Sequence, residues 1–248
     1  MNDYSIFDRL ELEYKPVGVK FSMTKPENLP QLNKKLAMCE MLREAQLSGG
    51  FYAARENHAC GVGPHILGQS EDDPGMLAGM IGPRIGVYQD ERANRNVYIN
   101  MNTLEKGTAP YTLFDTLDNI GFSPDVIILL TRPEQAEILL RAYGYRTGRG
   151  WNARGTSVAG CACLYIHPFV SGELNMLVTG LHHGMKARGT FPPGLLMLSI
   201  PYQVIPEIVQ SLNEMQWDLP QYHWGKEAHV KKMREIGEGI ARDIAASK

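Results

Sequence analysis

The sequence predicts an α/β (or α+β) protein of one domain, residues 1–248, in which helices flank a mixed sheet and a terminal helix spans 226–246. Three observations carry that expectation. Val126–Leu130 is an uninterrupted apolar run of strand length, and Pro133 follows it in the first turn of a helix, which is the order of a βα unit. Helical and strand periodicities succeed one another along the chain without segregating into halves. No repeat and no long linker interrupts them.

The elements read as follows. Ile6, Phe7, Leu10 and Tyr14 share a face of a short helix over 4–14, ended by Pro16. Residues 17–21 alternate as a strand. Leu32, Leu36, Cys39 and Leu42 recur at helical spacing, so a helix is expected over 31–47, stopped by Gly49-Gly50. A strand over 51–54 leads into the loop Glu56-Asn57-His58-Ala59-Cys60-Gly61-Val62-Gly63. Residues 74–119 are rich in Gly, Pro and Asn, with a short helix near 76–81 and a strand over 96–101. After the helix from Pro133 to about Tyr143 comes a Gly/Arg loop, 144–155. Strands are then expected over 157–167, 174–179 and 195–200. An amphipathic helix over 206–215 precedes the terminal one, on which Met233, Ile236, Ile240 and Ile244 form a stripe suited to packing on its own domain or to a homodimer.

Composition narrows the function. The chain is 44% hydrophobic and 21% charged with a net charge of −2, so it lacks the basic excess of a nucleic-acid-binding protein. No apolar run reaches the roughly 20 residues of a membrane-spanning helix. The polar, acidic start, Met1-Asn2-Asp3-Tyr4-Ser5, has no signal-peptide pattern. A cytoplasmic location follows as the expectation, and with it reduced thiols.

Those thiols are Cys39, Cys60, Cys161 and Cys163. In the expected strand, Cys161 and Cys163 project to one face with Cα atoms about 6.6 Å apart, near the upper limit for a disulfide but suited to a shared metal centre. Cys60 lies among glycines, which let backbone N–H groups approach an anionic sulfur. Twenty residues separate Cys39 from Cys60, a hundred separate Cys60 from Cys161, and one separates the last pair. A tetrahedral zinc site favours tight C-x-x-C pairs, whereas a cubane cluster spreads its thiolates over four irons, so a metal here would be an iron–sulfur cluster, [4Fe–4S]. The alternatives are cysteines that merely pack, as in a small-ligand-binding or regulatory protein, and a mononuclear metal or a catalytic thiol, with His58 beside Cys60 to tune it or carry its proton.

Pro16-Val17-Gly18-Val19-Lys20-Phe21, Cys39 with Ala45 and Gly49, the Glu56–Gly63 loop and the later Ser199-Ile200-Pro201-Tyr202 resemble the family catalogued as domain of unknown function 169, over about residues 5 to 215. That family occurs largely in archaea and anaerobic bacteria. The resemblance implies that Cys39 and Cys60 are motif positions and that Cys161 matches a cysteine of the family's later strand. Its anaerobic distribution fits an oxygen-sensitive cluster with a redox or reductive role and an electron-transfer partner.

Two further features stand apart. Arg146, Arg149 and Arg154 lie in or beside the Gly-rich stretch 143–150, where guanidinium groups suit an anionic small molecule, although a solvated loop is the simpler reading. That stretch matches neither a P-loop nor a dinucleotide fingerprint. His182-His183 follows a strand and reads as a strand-end turn with one ring solvated, since sequence neighbours rarely face the same way.

Overall fold

The computed structural model describes residues 4–247. A six-stranded sheet forms the centre, built from β1 (Val17–Ser22), β2 (Phe51–Ala53), β3 (Tyr111–Thr116), β4 (Val126–Thr131), β5 (Asn175–Val178) and β6 (Leu196–Pro201), in the order β2-β3-β1-β4-β6-β5. The α/β class holds. Every pairing in the sheet is antiparallel, however, where a mixed sheet was expected. β1 is central: Val17 pairs with Thr116 of β3 on one side and Ile128 of β4 on the other. β3 is the strand that the sequence hides, because Thr112 and Asp115 give it polar residues that are nevertheless buried.

The helices are α1 (Met38–Ser48), α2 (Val62–Ile66), α3 (Pro74–Leu77), α4 (Ile81–Arg84), α5 (Glu91–Asn100), α6 (Pro133–Tyr145), α7 (His167–Ser171), α8 (His183–Ala187), α9 (Ile205–Glu214) and α10 (Gly225–Ala246). Both faces of β4 are buried, which is why its sequence is a continuous apolar run rather than an alternation. Val126, Ile128 and Leu130 join the core that holds Met41 and Leu42 of α1. Against β4 and β6 also lies α6, with Ala136, Leu139 and Leu140 buried.

Three expected elements are corrected. The segment before α1 is extended, not helical: Leu32 N–H donates to the Tyr52 carbonyl and Leu36 N–H to that of Asn57, each at 2.8 Å, so tertiary pairing overrides the helical spacing. The strand expected over 96–101 is the end of helix α5, started by the Asp90 carboxylate accepting from Ala93 N–H at 2.8 Å. The strand expected over 157–167 is a π-helical turn, Ala162–Ile166, running into α7.

The chain divides into two compact units, one ending at Asn213 and the other beginning at Glu214. The second contains a 3-10 turn, Pro220–His223, and α10, whose stripe of Val230, Met233, Ile236, Ile240 and Ile244 is exposed. No helix among the described residues is long and apolar enough to cross a membrane.

Candidate metal centre

Three of the four cysteines line one cavity. Cys39 is the second residue of α1, Cys60 lies just before α2, and Cys161 leads into the π-helical turn. Local hydrogen bonds bring these distant positions together. Leu36 and His58 form an isolated bridge, with Ala59 N–H donating to the Leu36 carbonyl at 2.9 Å, and this holds the approach to Cys60 beside the start of α1. The Asn57 side chain locks that turn: its Oδ1 accepts from Ala54 N–H at 2.9 Å and its Nδ2 donates to the Leu32 carbonyl at 2.6 Å. Tyr165, fully buried, donates its hydroxyl to the Met38 carbonyl at 3.0 Å, tying the helix after Cys161 to the residue before Cys39.

The cavity measures about 70 Å³ and is walled mainly by apolar side chains, among them Met38, Val62, Leu164 and Met185. A water needs only about 10–15 Å³ by this measure, so the space suits something larger. Cys161 sits deep in the protein yet is only partly buried by accessible surface, because its side chain faces the void. Burial pushes its thiol well above the usual range, with Cys60 and Cys39 adding to the rise. Cys39 is also raised, first by burial, against the Thr190 hydroxyl at 3.8 Å. Among the described residues, no three His, Cys, Asp or Glu side chains close on a point as a single ion requires.

Cys163 does not line this cavity. The expected common face with Cys161 required a strand, whereas in a helix residues two apart lie on roughly opposite sides. Cys163 is buried beside Thr156 and Arg154. The turn is held in place by the sheet: Asn175 Nδ2 of β5 donates to the Cys163 carbonyl at 2.8 Å, and Ser199 Oγ of β6 donates to that of Leu164. Just before it, Ala159 adopts the left-handed region at φ 56°, a strained conformation for a residue with a Cβ, at the wall of the cavity.

His58 is buried with its ring against Gly63, where an added methyl would come within 2.6 Å of Nδ1. Neither ring nitrogen has a hydrogen-bond partner among the described residues, so no imidazole–thiol pair is formed with Cys60. Gln69 acts on the ring only through a contact too loose to count as a hydrogen bond. Burial, helped by Arg55, lowers His58 to about 4.

None of the three arginines lines the cavity of Cys39, Cys60 and Cys161. Arg149 pairs with Glu207 at 2.7 Å and lies over the Tyr143 ring, and Arg154 donates to the Asn100 carbonyl at 2.6 Å. Arg146 has a partner of its own. Replacing Arg149 with Ala should therefore cost on the order of 1 kcal/mol in chemical denaturation, since the pair is only partly exposed and Glu207 loses its cation. An unchanged midpoint would mean that the pair contributes nothing. A larger chamber of about 510 Å³ instead adjoins the cysteine cavity, sharing Cys60, Val62, Ala159, Gly184 and Arg188 with it and adding Arg55, His65, Tyr98 and His183. Sequence reasoning missed Arg55 and Arg188, since neither stands in a cluster along the chain.

The structure thus combines an antiparallel sheet with a three-cysteine pocket at the starts of α1, α2 and the π-helical turn. The chain belongs to the family of domain of unknown function 169, described as uncharacterised ArCR, whose model matches residues 5–211. That match covers nearly all of the first unit. An uncharacterised protein of Methanocaldococcus jannaschii is 23% identical over 220 residues, 87% of this chain and 94% of the relative. No solved structure matches the chain.

Proposed function

We propose that the protein binds an iron–sulfur cluster, of the [4Fe–4S] type, through Cys39, Cys60 and Cys161, and uses it in a redox or reductive role. The observation that carries this reading is that three thiols from separate parts of the chain line a single cavity. Thiolates are the preferred ligands of cluster iron, and a cluster distributes its ligands over several metal atoms. Cys39, Cys60 and Cys161 would hold the group, which would supply one-electron transfer between a reduced partner and an acceptor. The 510 Å³ chamber beside Cys60 is lined by Arg55 and Arg188 but also by Glu71 and Asp73, and Arg188 pairs with Glu40 at 3.4 Å, so an anionic small molecule would have, among the described residues, Arg55 as its unshared cation there. The exposed stripe of α10 suits a second copy of the chain.

The four Cys→Ser variants test this reading. After anaerobic reconstitution with ferrous iron and sulfide, the variants at Cys39, Cys60 and Cys161 should each lose most of their iron, a hydroxyl being a far poorer ligand than a thiolate for soft iron. Cys163→Ser should retain it, because Cys163 faces elsewhere. Full iron in Cys60→Ser, or equal loss in all four, would contradict the assignment.

A further inference from the structure

We infer that His182 is the fourth protein ligand of the cluster, completing a three-cysteine, one-histidine set; this rests on the cluster reading above. Three cysteines leave one cubane iron without a protein ligand, and His182 lines the same cavity as they do. It is only 5% exposed, so it is not the solvated histidine of its pair; His183 is the exposed one.

The ring is fixed as a metal-binding imidazole is fixed. Nδ1 lies 2.6 Å from the Thr156 carbonyl, an acceptor only, so Nδ1 carries the hydrogen and Nε2 keeps its lone pair. The two backbone segments are clamped beside this bond by His183 N–H donating to the Ser157 carbonyl at 2.8 Å. Nε2 has no hydrogen-bond partner among the described residues and is not sealed from the surrounding space. Gly160, next to Cys161, leaves the ring room against the backbone: a methyl there would lie 2.7 Å from Cε1.

Pulsed electron paramagnetic resonance on the reduced full-length protein, reconstituted with ferrous iron and sulfide, tests the assignment directly. With ¹⁵N-histidine in the chain, the cluster should show one strongly coupled histidine nitrogen, and His182→Cys should retain the cluster while losing that coupling. Its midpoint potential should also fall, because a thiolate brings negative charge that imidazole does not. Iron and sulfide bound with no strong nitrogen coupling in the unsubstituted protein, or coupling that persists in His182→Cys, would overturn the His182 assignment and leave the three-cysteine site standing. Failure of the unsubstituted protein to hold iron and sulfide at all would overturn both.

Discussion

Gly160→Ala is expected to destabilise the protein by about 3 kcal/mol, through overpacking and the lost hydrogen bond of a buried ring. The new methyl would overlap the His182 imidazole, which is buried and tied to the Thr156 carbonyl and so cannot swing aside cheaply. The neighbouring backbone offers little relief, since Ala159 is already in the left-handed region and Cys161 begins a turn fastened to β5 and β6. Gly61→Ala supplies the control. Its Cβ would meet nothing within 4 Å and its backbone is right-handed helical, so that variant should be neutral or more stable by about 0.5 kcal/mol. Equal denaturation midpoints for the two variants would show that the His182 ring is not held as described.

Protein carrying no iron should lose stability as the pH falls from about 6.5 toward 4, with His58 contributing up to about 3 kcal/mol of the loss. Burial disfavours the imidazolium, so the folded state resists a proton that the unfolded state accepts. The contribution is complete above the unfolded value of 6.5 and disappears as the pH drops through about 4. Burial also lowers His65, His167 and His182, which adds to the slope. Denaturation of His58→Gln across this window should give a visibly shallower dependence than the unsubstituted protein. Parallel curves would place His58 in a solvated environment.

What could be read from the chain follows a physical division. β4 and α6 were legible because an apolar run followed by Pro133 needs no distant partner to be recognised. Cys60 stood out by its glycine-rich surroundings and Cys39 through the family resemblance, and both line one cavity. Cys161-Ala162-Cys163 misled, because the alternation of small and apolar residues is shared by a strand and by a buried helix. What decides between them is the capture of the Cys163 and Leu164 carbonyls by Asn175 and Ser199, residues from elsewhere in the chain. His182 was discounted for the same reason: its value lies in the Thr156 carbonyl, 26 positions away. The arginine stretch read most simply as a solvated loop, with an anionic ligand as the alternative; Glu207 and the Asn100 carbonyl, invisible to local reading, engage Arg149 and Arg154.

Iron and acid-labile sulfide in protein purified without oxygen test the central claim most directly. The account predicts brown protein, iron and sulfide in near-equal amounts, and a colour that bleaches in air. Colourless protein that takes up neither iron nor sulfide on anaerobic reconstitution, with the thiols of Cys39, Cys60 and Cys161 all free to alkylation once unfolded, would contradict it.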